Sequence, residues 1–174
     1  MPDLRYNPAT RTLHWLQAAL ILGLVVLGWW MTGLDYYDRW YNDSLFWHRA
    51  LGLLVPPLAA AQLACRLSRR APLPPVGTLW EQRAAAAAHR LFLLLMLLVP
   101  LSGYLISTSA GAAIPLPGGL QVPALGALSE RVRDLAVAAH YWLAYGIAAL
   151  AAVHAAAACK HHFIDRDSVL RRML

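Results

Sequence analysis

Read for polarity alone, the chain is four long apolar runs separated by short polar stretches. The runs cover residues 13–33, 46–65, 86–107 and 136–159, approximately, and none contains an Asp or Glu. Each is close to the ~20 residues a helix needs to cross the hydrocarbon of a bilayer. The connections carry turn chemistry: "APLPPVGT" at 71–78 is a proline-rich turn, and 110–127 is a longer loop rich in Gly and Pro. Pro56, Pro57 and Pro100 fall inside the second and third runs, where transmembrane helices tolerate them. The pattern predicts an all-α membrane protein, a four-helix transmembrane bundle forming one domain over residues 1–174. Arg5 and Arg11 precede the first run as they would a signal peptide. The run is long enough to span, however, and no small-residue cleavage site follows, so a retained helix is expected.

Composition agrees with the pattern. Apolar residues make up 59% and charged residues 14%, against roughly 45–50% and about 25% in soluble domains. The mean hydropathy is +0.47. A net charge of +6 raises the question of nucleic acid. A nucleic-acid binder gathers its basic residues on one polar face; here they punctuate apolar runs, so no nucleic-acid partner is expected. They set an orientation instead. The side holding the N-terminus, the 66–90 connection and the C-terminus nets +7, and the opposite side nets −1. Both termini are therefore expected in the cytoplasm. Trp29, Trp30, Trp40, Trp47, Tyr141 and Trp142 would form an outer aromatic belt at the lipid interface. Cys65 and Cys159 form no CxxC pair, and CxxCH is absent, so neither a disulfide framework nor covalent haem attachment is indicated.

Seven histidines then change the picture. Five of them, His14, His48, His89, His140 and His154, lie in or at the edges of the apolar runs. Ionisable residues at that depth are costly and mark function by default. His140 and His154 are fourteen positions apart, about 40° short of four full turns, so they share a helix face ~21 Å apart along the axis. One belongs to each leaflet. Topology supplies partners at matching depth: His14 with His154 on the inside, His48 with His140 on the outside. Two imidazoles from facing helices are a standard way to hold haem iron. Gly23, Gly28, Gly52 and Gly146 would let a flat macrocycle approach the backbones. Zinc, which wants three or four ligands within a few ångströms, does not suit two pairs so far apart. A histidine-lined zinc or proton transporter is a competing reading, weakened by the lack of acidic residues in the runs.

The residues resemble the bacterial diheme cytochrome b561 family and, more distantly, the cytochrome b subunits of membrane hydrogenases and formate dehydrogenases. The resemblance covers nearly the whole chain: "RTLHWLQA", "WHRALG", "AHRLFLLLMLLVPLSGY", the fourth-run histidine pair, and the tail "HHFIDRDSVLRRM". That tail points to the stand-alone subfamily. Lys160 stands just before His161 where a small apolar residue is expected. The resemblance implies a bacterial inner membrane location, two non-covalent b haems stacked across the bilayer, and the same axial pairs, His14/His154 and His48/His140. It further implies a superoxide:ubiquinone oxidoreductase, in which an electron passes from periplasmic superoxide through the outer and then the inner haem to ubiquinone. The alternative it leaves is an electron-transfer anchor docked to a hydrogenase- or dehydrogenase-type redox partner.

Other residues take expected roles around this frame. Arg49, next to His48, would pair with a haem propionate or attract the superoxide anion; Arg131 and Arg133 would do the same or be ordinary interfacial arginines. His89 would hydrogen-bond an inner propionate or quinone, or replace an axial ligand. His161, seven residues after His154, shares its face and is the candidate for quinone binding or proton supply. Ser129 would cap the helix that runs into the fourth span. Asp165 and Asp167 with Arg171 and Arg172 would form a short cytoplasmic cap.

Overall fold

The computed structural model describes residues 5–68 and 73–174. Arg69, Arg70 and the first two residues of the proline-rich turn, which the charge and turn readings used, lie outside the described residues, as does Asp3. The described residues are mostly helical: α1 is Pro8–Met31, α2 Tyr41–Gly52, α3 Val55–Leu67, α4 Leu79–Ser107 and α5 Glu130–Phe163. Among the described residues, four stretches are long and apolar enough to cross a membrane: α1, α2 with α3, α4, and α5. Few residues are buried within the bundle, and many large apolar side chains face outward, including Leu22, Val26, Leu94, Leu101 and Val153. In water this would be untenable; in a bilayer those side chains meet lipid.

The helices run past the apolar stretches that reveal them. α4 begins at Leu79 and α5 extends from Glu130 to Phe163, because polar turns continue the helix beyond the hydrocarbon. α1 starts at Pro8 with its first turn capped by Asn7, whose Oδ1 accepts from Thr10 N–H at 2.7 Å. At the start of α4 the Glu81 carboxylate accepts from Thr78 N–H at 2.7 Å and Thr78 Oγ1 at 2.8 Å. Ser129 occupies the N-cap position of α5, but its side chain makes no capping hydrogen bond, a correction to the role expected of it. The second apolar run is broken into α2 and α3. Pro56 and Pro57 have no N–H to offer the carbonyls four residues back, so the ladder closes at Leu53 and Leu54 and resumes at Leu58.

α4 packs most extensively on α5, and α1 packs on α2 and α3. One end of the bundle holds the start of α1 and the C-terminal tail. There Tyr6 N–H donates to Arg172 O at 2.9 Å, Trp15 Nε1 to Met173 O at 2.9 Å, and Arg172 Nη1 to Pro74 O at 2.8 Å. At the opposite end, residues 108–129 form a loop with a two-residue hairpin, β1 (Ile114–Pro115) and β2 (Gln121–Val122). Its tip turns through Gly118 and Gly119, with φ of 78° and 77°, where a side chain would be strained. Thr108 and Ile114, both within this loop, are fully buried, and Tyr104 OH donates to Pro123 O at 2.8 Å. These ends are called the terminal end and the hairpin end below.

Candidate functional site

α5 carries His140 toward the hairpin end and His154 toward the terminal end, ~21 Å apart along the axis. The antiparallel run of α1 and α2 brings one histidine to each. His48 of α2 meets His140 with ring centres 6.1 Å apart and planes at 74°. His14 of α1 meets His154 at 6.3 Å and 63°. Imidazoles sharing one metal, each with a nitrogen ~2 Å from it, have ring centres on the order of 6 Å apart. At the terminal end α4 adds a third ring, His89, 5.7 Å from His154, with Phe92 at 5.4 Å.

The glycines divide into two groups. A Cβ on Gly28 would lie 3.0 Å from His48 Cε1, and one on Gly103 would lie 3.1 Å from His140 Cε1. Each of these glycines lets an imidazole sit hard against a neighbouring helix. A Cβ on Gly23, Gly52 or Gly146 would meet no protein atom within 4 Å. Gly28 therefore makes room for a histidine ring. The α4 side of the hairpin-end pair holds two further contacts: His140 Nδ1 lies 3.0 Å from Val99 O and 3.1 Å from Ser102 Oγ. His48 Nδ1 and Arg49 Nε are buried and have no hydrogen-bond partner among the described residues. Arg133 turns to its neighbour Asp134, 3.4 Å away and exposed, the ordinary interfacial arrangement.

The terminal end is built differently. Lys160 Nζ bridges Glu81 Oε1 at 2.6 Å and Asp165 Oδ2 at 2.8 Å. His161 Nδ1 lies 2.6 Å from Asp167 Oδ2 and 3.2 Å from Asp165 Oδ2. Glu81, His161 and Asp165 bring potential metal-ligating atoms within 4.8 Å of one another, but the Lys160 ammonium already occupies the position between the two carboxylates. In the expected cap of Asp165 and Asp167 with Arg171 and Arg172, Arg171 Nη2 donates to the Asp167 carbonyl at 3.5 Å rather than to a carboxylate. The acids pair with Lys160 and His161, while Arg172 reaches Ser168 and the Pro74 carbonyl. Beside this network, a groove of about 640 Å³ is lined by Arg11, Thr12, Trp15, Leu16, Met173 and Leu174, among others. Arg11 Nε is buried without a partner among the described residues.

Val99, Ser102, Gly103 and Glu81 were not legible as site residues. The Thr78-x-x-Glu81 spacing does read as a capping box, but the distant partners of these residues, His140 for Val99, Ser102 and Gly103 and Lys160 for Glu81, lie far along the chain. No local pattern encodes such contacts.

A multi-pass helical bundle with paired histidines facing one another between its helices is the framework of a membrane b-type cytochrome, a class that moves electrons. The family model for prokaryotic cytochrome b561 matches residues 5–174, and the chain belongs to that family. Among curated relatives, cytochrome b561 homolog 2 of Escherichia coli (strain K12) is 39% identical over 175 aligned positions, covering 98% of this chain and 91% of the relative. Cytochrome b561 homolog 1 of the same organism is 26% identical over 180 positions, covering 98% and 97%.

The family binds b-type haem, and the residues fit that group. Facing imidazoles, open space beside Gly23, Gly52 and Gly146, and a buried guanidinium nitrogen beside His48 supply ligands, room and a partner for a carboxylate.

Proposed function

We propose that this protein is a diheme cytochrome that accepts electrons from superoxide on the periplasmic side and delivers them to ubiquinone. The observation that carries the reading is the pairing of His48 with His140 and His14 with His154, at 6.1 and 6.3 Å, near opposite ends of α5. Haem, when bound, supplies one-electron redox chemistry; the chain supplies the ligands, the spacing and the access. His48 and His140 would hold the hairpin-end iron, and His14 and His154 the terminal-end iron.

Arg49 Nε offers a charge-assisted hydrogen bond at the hairpin end, to a haem carboxylate or to the incoming anion. Each superoxide gives up one electron and leaves as dioxygen. Two electrons and two protons convert ubiquinone to ubiquinol. His161, held by Asp167 and Asp165, would supply a proton at the terminal end, and the neighbouring groove between α1 and the C-terminal tail offers an apolar wall with one cation. His89 would serve the terminal-end group through a hydrogen bond. The net basic charge of the side bearing the termini supports a cytoplasmic orientation for that side, in a bacterial inner membrane.

The test combines haem counting with fast kinetics. Purified protein should carry two b haems per chain, and stopped-flow mixing with superoxide should reduce them, followed by quinone reduction. His48→Ala and His140→Ala should each abolish one haem signal, and His14→Ala and His154→Ala the other. If His89→Ala removes a haem and His14→Ala does not, the terminal-end pair is misassigned. Haem that ignores superoxide, in a protein that co-purifies with a catalytic subunit, would instead identify an electron-transfer anchor.

A further inference from the structure

His140 is held by α4 in a way that its partner is not. Its Nδ1 lies 3.0 Å from the Val99 carbonyl oxygen. A carbonyl has no proton to give, so the contact requires the proton on Nδ1. Ser102 Oγ is 2.8 Å from the same carbonyl and donates to it. The hydroxyl oxygen therefore turns a lone pair toward His140 Nδ1, 3.1 Å away, and shares its proton. Both acceptors make the same demand, which leaves Nε2 as the nitrogen with a free lone pair. Gly103 completes the socket: a Cβ there would lie 3.1 Å from His140 Cε1 and 3.3 Å from Nδ1. Ser102 is itself buried, at 6% exposure, so water does not compete for the hydroxyl. His48 has no counterpart to this arrangement, its Nδ1 being buried and unpartnered among the described residues.

We propose that Val99, Ser102 and Gly103 are positioning residues for His140, fixing its tautomer and ring orientation and making it the more strongly donating imidazole at the hairpin end. A ligand histidine that gives its second N–H to an acceptor becomes a more basic ligand. A more basic ligand favours the ferric state, so the socket lowers the potential of the hairpin-end haem. The inference rests on the reading of two histidine-ligated haems, and it adds three residues of α4 that touch neither haem iron nor substrate. Its functional sense follows from the direction of flow: a lower potential at the point of entry helps each electron move on toward the terminal end.

The test uses the purified full-length chain with its haems and measures both midpoint potentials by spectroelectrochemistry. Ser102→Ala should retain two haems per chain and shift the hairpin-end potential upward, leaving the other unchanged; Ser102→Thr, which restores the hydroxyl, should return it toward the wild-type value. Gly103→Ala should turn the ring and shift the low-spin electron paramagnetic resonance signal of the hairpin-end haem alone. Unchanged potentials in Ser102→Ala, or an equal shift at both haems, would overturn the proposal. So would a downward shift, because Ser102 would then be competing for the Val99 carbonyl rather than sharing the imidazole proton. An unmoved resonance signal in Gly103→Ala counts against it as well. A wild-type chain with no haem at the hairpin end would overturn the diheme reading and this inference together, whereas a two-haem chain that ignores Ser102 overturns this inference alone.

Discussion

A single buried guanidinium nitrogen says much about what the hairpin end can bind. Arg49 follows His48 directly in α2, and its Nε is buried without a protein partner among the described residues. An unpaired polar group in such a place is costly unless something else completes it. An anionic carboxylate or a small oxyanion beside His48 would do so. A hydrogen bond involving charge contributes about 1.5–3 kcal/mol, so Arg49→Ala should weaken retention of the hairpin-end haem by roughly tenfold or more, at ~1.4 kcal/mol per factor of ten. Arg49→Lys keeps the charge but loses the planar fork and should fall between. Haem loss to an apo-protein acceptor, followed at each haem's own absorption, measures this directly. If Arg49 serves mainly to attract superoxide, Arg49→Ala will retain haem normally, and its reduction rate will lose the ionic-strength dependence expected of the wild type.

At the scale of elements, α5 and the tail after it form one mechanical unit. α5 ends at Phe163, and the chain then reverses through Arg166, whose φ of 56° is rare for a residue with a side chain. Asp167 N–H donates to His161 O at 3.0 Å across the reversal. Lys160 ties this turn to the first turn of α4 through Glu81, and Arg172 ties the tail to Pro74. Lys160→Met removes both ends of the bridge. Because Lys160 is partly exposed, the loss should appear as local loosening rather than global unfolding. Limited trypsin digestion of protein in liposomes should then cut at Arg166 and Arg171 several-fold faster than in the wild type, with both haem spectra unchanged. An unaltered cleavage rate would mean that the Arg172 and Trp15 contacts hold the tail by themselves. The sequence announced the helices at this end, and even the capping box at Thr78. It could not announce the bridge, because the apolar pattern that marks a span says nothing about which polar residues meet beyond it. Lys160 looked out of place for that reason; in the structure its ammonium lies between two carboxylates.

For the molecule as a whole, charge and histidine placement make separate statements that must agree. Helix periodicity and the alternation of chain direction were enough to suggest which histidines share a depth, because a bilayer allows helices few arrangements. The contacts of His140 and the crowding of His89 against His154 depend on how α4 packs on α5, which periodicity does not determine. The proposed orientation rests on a third source, the excess of basic residues on the side that holds both termini, which would turn the His48–His140 pair toward the periplasm. A carboxy-terminal alkaline phosphatase fusion should therefore be inactive and a fluorescent protein fusion bright, while a phosphatase inserted in the hairpin near Gly118 should be active. The opposite pattern would put His14, His154 and the Lys160 network on the periplasmic side, and Arg49 on the cytoplasmic side. The His48–His140 pair and Arg49 would then face away from periplasmic superoxide, so the proposed direction of electron flow stands or falls with the topology.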